Sequence, residues 1–171
     1  MHILYIHGLE SSTNCLKVQW LKSLGHTVYN PEIDYKDPEA FFKVKRIAQK
    51  NDIDLIIGSS MGGYFAYAIA TSTNHKCILL NPAVHSRAFE PENVTYGMCR
   101  PDITCVLGMN DDVINPEDTI KVLQFEPRIE FIQTKHGHRT PVGVLEKVMI
   151  NKQIENEKAE EGGEGDDDMD F

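Results

Sequence analysis

An α/β fold, built on a mostly parallel sheet of about six strands with helices on both faces, is what this 171-residue sequence predicts. Two observations lead to it. Short apolar runs of strand character alternate with longer stretches whose apolar residues recur at helical spacing, and that alternation closes into a parallel sheet covered on both sides. No segment repeats at a period of roughly 20 to 50 residues, which excludes a solenoid.

The elements follow in chain order. Residues 3–6 (ILYI) are uninterrupted apolar chain, as a strand buried on both faces requires. Residues 14–24 then place Leu16, Trp20, Leu21 and Leu24 on one helical face. A second strand, 27–30 (TVYN), precedes a second helix over 37–50 with Phe41, Val44, Ile47 and Ala48 on one side. The third strand, 54–58 (DLIIG), runs straight into a helix over 61–72 that carries Ala66, Tyr67, Ala68 and Ala70, and the fourth strand is 77–80 (CILL). Residues 85–101 have neither period and form either a short cap over a site or a plain connection. The fifth strand is 103–107 (ITCVL), a helix over 117–125 follows Pro116, and the sixth strand is 129–133 (IEFIQ). The last helix, 141–157, opens at Thr140-Pro141, a good start because proline suits the first helical position.

The length fits one domain with a core of ordinary size. The formal charge of −9 is uneven: nine acids and Lys158 leave residues 155–171 at −8 and residues 1–154 at −1. We therefore divide the chain into a minimal folded domain over 1–154 and an acidic tail over 155–171. The tail is expected to be disordered, since its glycines and mutually repelling carboxylates bury too little apolar surface to fold. The near-neutral body offers no basic field for a nucleic-acid backbone, so no nucleic-acid partner is expected. Neither a signal peptide nor a membrane span is expected, because MHILYIHG has no basic region ahead of a long apolar one and nowhere do about 18 apolar residues run together. Cys15, Cys77, Cys99 and Cys105 show no C-x-x-C pairing and no metal-type spacing. They read as core thiols of a reducing compartment, which makes the cytoplasm the expected location.

The segment that carries chemistry is Gly58-Ser59-Ser60-Met61-Gly62, between the third strand and its helix. In this G-x-S-x-G frame the serine sits on a tight strand-to-helix turn where only glycines two before and two after leave room for neighbouring main chain. The frame selects Ser60. Ser59 would need glycine at positions occupied by Ile57 and Met61. A serine that merely caps the following helix is the plainer alternative, and the apolar run before it and the alanines after it weigh against that.

A serine hydroxyl needs a base to act as nucleophile at neutral pH, and in parallel sheets such partners stand just beyond the carboxyl ends of strands. After the first strand come His7-Gly8-Leu9. Gly8 lets the chain turn so that the Leu9 N–H, with that of Met61 as second donor, faces a developing oxyanion; His7 is read as a brace for the turn. After the fifth strand stand Asp111 and Asp112, and after the sixth His136 and His138. Asp111 is preferred as the acid because it comes first after the strand, whereas Asp112 better suits a helix cap near Pro116. His138 is preferred as the base because Gly137 lends its loop freedom; His136 remains the alternative. The order serine, aspartate, histidine is that of the α/β-hydrolase triad. His2, His26, His75 and His85 stand in no ligand-spaced cluster, so no metal and no cofactor is expected.

These residues bring a family into view. ILYIHGLESS, GSSMGGYFAYAIA, LLNPAV, NDDVIN and GHR follow one another in the order and spacing of the YqiA-like bacterial esterases, and the chain resembles that family over residues 2 to about 150. The resemblance implies a single-domain α/β-hydrolase with little or no lid, acting on acyl esters or thioesters through an acyl-serine. It gives Ser60, Asp111 and His138 the triad roles and Leu9 and Met61 the oxyanion hole. Three positions depart from its pattern: Leu9 replaces phenylalanine, Thr140 an aromatic residue, and Asn110 a glycine, although asparagine still adopts left-handed turns.

Outside the resemblance, the tip Asp166-Asp167-Asp168-Met169-Asp170-Phe171 looks like the acidic end of bacterial single-stranded-DNA-binding proteins. It suggests an alternative function: a hydrolase scaffold that docks a protein partner through its Phe-terminated tail, the ring in a pocket and the carboxylate on a basic residue. A tail that only solvates is the plainer reading.

Overall fold

The computed structural model describes residues 1–88 and 90–161, with side chains as far as residue 153. Each apolar run becomes a strand. The order is β1 (His2–Ile6), α1 (Leu16–Ser23), β2 (Thr27–Tyr29), α2 (Ala40–Lys50), β3 (Leu55–Ser59), α3 (Met61–Thr73), β4 (Cys77–Leu80), β5 (Ile103–Gly108), α4 (Pro116–Leu123), β6 (Ile129–Thr134) and α5 (Val142–Glu161). Residues 85–101 form no helix or strand in their described part.

The six strands make one sheet in the order β2-β1-β3-β4-β5-β6, with every neighbouring pair parallel. The chain steps one way from β1 to β2 and the other way from β2 onward. Parallel crossovers are right-handed, so this reversal puts α1 on one face and α2, α3 and α4 on the other. Core packing follows the same division. Leu4, Ile6, Ile56, Leu79 and Leu107 join one cluster with Phe41, Val44, Phe65, Ile69 and Leu123, whereas their strand neighbours Ile3, Tyr5, Ile57 and Leu80 are buried outside it. Tyr35, Phe65 and Phe41 stack edge to face inside that cluster, with ring centroids 5.0 and 5.5 Å apart.

Helix α3 is buried on almost every side, from Met61 to Thr71, which explains its abundance of alanine and glycine. The reversal of strand order falls between β1 and β3, and a crevice beyond the carboxyl ends of strands at such a point is where α/β sheets bind ligands.

Local chemistry adjusts two helix starts. Over 37–50 the helix begins only at Ala40, because Asp37 first forms a turn: its Oδ1 accepts from the Glu39 N–H at 2.9 Å and its carbonyl from the Ala40 N–H at 3.0 Å. The cap near Pro116 is Asn115, not Asp112; its Oδ1 accepts from the Glu117 N–H at 2.9 Å, and Pro116 takes the first helical position.

The chain divides into two compact units, Met1–Thr140 and Pro141–Phe171. The first holds the whole sheet with α1 to α4. In the second, α5 continues to Glu161, so the backbone of residues 155–161 is helical although charge alone assigns them to the tail. The tail tip Asp166-Asp167-Asp168-Met169-Asp170-Phe171 lies outside the described residues. Among the described residues no helix is long and apolar enough to cross a membrane.

Candidate active site

The turn between β3 and α3 starts from a backbone conflict. Ser60 lies between β3 and α3 with φ 54° and ψ −118°, a conformation that costs a non-glycine residue about 1–3 kcal/mol. Four backbone hydrogen bonds hold it there. Its N–H donates to the Leu80 carbonyl at 3.0 Å, and its own carbonyl accepts from Gly63 (2.9 Å), Ala83 (3.0 Å) and Tyr64 (3.2 Å).

The flanking glycines are there because backbone passes through the space a side chain would need. A Cβ on Gly58 would stand 2.3 Å from the Gly62 carbonyl oxygen, and one on Gly62 would stand 2.0 Å from that of Ile6. A Cβ on Gly8 would come within 3.2 Å of Ser60 Cβ, so the loop after β1 runs directly beside the serine. Leu9 follows in that loop. Met61 is the first residue of α3, and the leading N–H groups of a helix have no partner within it.

The other two loops bring a carboxylate and an imidazole to Ser60. His138 Nε2 stands 3.1 Å from Ser60 Oγ and His138 Nδ1 2.8 Å from Asp111 Oδ2. The imidazole is partly exposed and the Asp111 side chain fully buried, at 23% and 0%. Its second oxygen, Oδ1, accepts the N–H groups of Val113 at 2.8 Å and Ile114 at 2.9 Å. A carboxylate with both oxygens engaged keeps its orientation, and it accepts the Nδ1–H of His138, leaving the Nε2 lone pair towards the serine.

His7 stands apart from this chain of contacts. It is buried, its Nδ1–H donates to the Gly8 carbonyl at 2.8 Å, and its Nε2 accepts the Ile33 N–H at 3.3 Å. Both ring nitrogens are thereby used to join the loops after β1 and β2. The Tyr35 hydroxyl donates to the His7 carbonyl, and burial pushes that phenol up, so it stays a protonated donor.

The alternatives point elsewhere. Ser59 is the last residue of β3, and Asp112 is exposed. His136 is buried, its Nδ1–H donates to the Gly137 carbonyl at 2.7 Å, and its Nε2 has no partner among the described residues. The ring rests on Gly108, where a Cβ would stand 2.4 Å from Nδ1.

Two reasons given from sequence need correction. Gly137 does not carry His138 through special backbone freedom, because its φ is not positive and a Cβ there would meet only the Asn110 carbonyl oxygen at an ordinary 3.6 Å. Nor does Asn110 take a left-handed turn; among the described residues the non-glycine ones with positive φ are Ser60, Asn74, Asn81 and Asn93. Asn81 is the polar residue to which sequence reasoning gave no role, although it stands at the carboxyl end of β4, where a buried asparagine is a signal. Among the described residues no three His, Cys, Asp or Glu side chains form a group suited to a metal ion.

Comparison with known proteins agrees with this architecture. The model of a family described as "Uncharacterised protein family (UPF0227)" matches residues 2–92, a span that contains Ser60 and stops short of Asp111 and His138. No curated protein matches the sequence. Among solved structures the chain is similar to a member of the α/β hydrolase superfamily from Xanthomonas campestris pv. campestris, with 22% identity, 81% of this chain and 88% of the other covered, and a TM-score of 0.61. It is similar to Est1E of Butyrivibrio proteoclasticus with ferulic acid bound, at 14% identity, coverage of 90% and 88%, and a TM-score of 0.70. An esterase of Pyrococcus furiosus, Pf2001, aligns at 13% identity with coverage of 88% and 79% and a TM-score of 0.65. These likenesses establish the α/β-hydrolase fold.

Proposed function

Since the chain belongs to the uncharacterised protein family UPF0227 and has the α/β-hydrolase fold, we propose that it is a serine hydrolase cleaving acyl esters or thioesters through an acyl-serine. The observation that carries this reading is the unbroken line of contacts from Ser60 Oγ to His138 Nε2 (3.1 Å) and from His138 Nδ1 to Asp111 Oδ2 (2.8 Å). An acyl ester is also in keeping with the ferulic acid held by Est1E and with the esterase named in Pf2001.

In this mechanism Ser60 Oγ attacks the acyl carbon while His138 Nε2 takes the hydroxyl proton. Asp111 holds the tautomer and stabilises the imidazolium. Negative charge gathers on the carbonyl oxygen, and the N–H groups of Leu9 and Met61 receive it. His138 then returns its proton to the departing alkoxide or thiolate. A water molecule, deprotonated in turn by His138, attacks the acyl carbon, and as the C–Oγ bond breaks His138 returns that proton to Ser60 Oγ, releasing the acid and restoring the serine.

The test is covalent labelling with a fluorophosphonate, followed by a panel of acyl esters and acyl thioesters of increasing chain length. Stoichiometric labelling that disappears in Ser60→Ala, together with turnover of at least one panel member, is the expected result. A protein that is folded yet neither labels nor hydrolyses any of them overturns the reading.

A further inference from the structure

We infer that Asn81 is a positioning residue of the site, a single buried amide that sets the loops of the acid and the base against the strand next to the nucleophile. This rests on the reading of Ser60, Asp111 and His138 as a triad. Asn81 follows β4 directly, is 2% exposed and has φ 44°, a left-handed conformation that asparagine accepts more readily than most residues. Its backbone N–H continues the sheet to the Val106 carbonyl at 3.0 Å.

Its side chain reaches the end of β5 and the loop after β6. Oδ1 accepts the N–H of Gly108, the last residue of β5, at 2.7 Å. Nδ2 donates to the His138 carbonyl at 2.7 Å, with the Gly137 carbonyl at 3.2 Å and Thr140 Oγ1 at 3.4 Å. The orientation of the amide is chemically forced, since an N–H lies on one side and carbonyls on the other. Gly108 is three residues ahead of Asp111, and the Asp111 N–H donates back to the Gly108 carbonyl at 3.0 Å. Two residues beyond Asn81, the Ala83 N–H donates to the Ser60 carbonyl at 3.0 Å. Residues 81–83 thus touch the backbone of the serine, the base and the turn that bears the acid.

The imidazole of His138 spans 3.1 Å to one partner and 2.8 Å to the other, and a small shift of its backbone breaks one of the two contacts. No other side chain donates a hydrogen bond to the His138 carbonyl among the described residues. The amide of Asn81 therefore fixes the position from which His138 reaches both Ser60 and Asp111.

Two variants of the full chain separate this role from backbone strain and from folding. Asn81→Gly keeps the left-handed backbone without cost and deletes the amide. Asn81→Asp keeps the shape but turns an acceptor on the His138 and Gly137 carbonyls. Both are expected to lower kcat and the rate of fluorophosphonate labelling by about 10²-fold, the scale of a misplaced reacting group, with KM little changed. A His138 Nδ1–H proton resonance is expected in the parent and is expected to shift or broaden in both variants. A parent that does not label at all would remove the underlying reading instead. Folded variants that label at the parent rate with an unmoved resonance overturn the inference, and so does failure of both to fold, which would make Asn81 a purely structural residue.

Discussion

Ser60 is strained and surrounded by groups already engaged, so single side chains in its neighbourhood have separable effects. Ser60→Ala is expected to abolish labelling and hydrolysis and Ser59→Ala to keep most of both, because only Ser60 reaches an imidazole; labelling followed by mass spectrometry of the modified peptide decides it. Labelling that persists in Ser60→Ala moves the nucleophile elsewhere. His138→Ala is expected to lower kcat/KM by at least about 10³-fold, the order of removing a triad member. His136→Ala should cost activity far less, since its ring rests on Gly108 and bonds the Gly137 carbonyl, whereas the imidazole bonded to Ser60 is that of His138. Activity should fall towards acid pH in the parent, because a protonated His138 has no lone pair to accept the serine proton. A rate that rises on acidification would exclude His138 as the base.

At the scale of elements, the glycines divide into those with room for a side chain and those without. Gly62→Ala drives a Cβ to 2.0 Å from main chain of β1, which neither backbone can yield without parting α3 from the sheet. We expect a loss of about 3 kcal/mol, the upper end for overpacking, read as a lower urea midpoint. Gly143→Ala on α5 meets nothing within 4 Å and is expected to stabilise by about 0.5–1 kcal/mol. A Gly62→Ala protein as stable as the parent would mean that α3 approaches β1 less closely than described.

The same contrast explains what the sequence disclosed. Ile3-Leu4-Tyr5-Ile6 and Cys77-Ile78-Leu79-Leu80 read as strands because both of their faces are buried, and the elbow is legible because Gly58 is constrained locally, by Gly62 and Ala66, whereas the close approach of Gly62 to Ile6 is visible only in the fold. The late start of α2 escaped because the Asp37 turn competes with the helical period. Asn81 escaped for a different reason. Its partners lie 27 and 57 residues away, and no local pattern encodes that meeting.

For the whole molecule, burial predicts chemical reactivity. Cys77 and Cys105 are fully enclosed, and burial pushes both thiols well above the ordinary range, so the nucleophilic thiolate is scarce as well as inaccessible. A thiol reagent is expected to modify Cys15 and Cys99, which are only partly covered, in the native protein and all four after denaturation. Rapid native modification of Cys77 or Cys105 would show that the sheet opens. Removing residues 162–171 is expected to leave small-ester hydrolysis unchanged, since Ser60, Asp111, His138 and every partner named for them lie before residue 141; a fall in kcat/KM would give the acidic tail a part in catalysis.

The all-parallel order of the strands also sets a timetable. No neighbouring pair can form as a hairpin, so each must wait for an intervening crossover to be made, and such non-local pairing is slow. The elbow at Ser60 is complete once β1, β3, α3 and β4 with Ala83 beyond it have met, whereas its contact with His138 closes a separation of 78 residues. A chain emerging from the ribosome therefore carries Ser60 long before it carries the imidazole that Ser60 meets. In refolding from denaturant, recovery of fluorophosphonate reactivity should trail recovery of helical ellipticity, and the partly formed molecule in between is chemically silent.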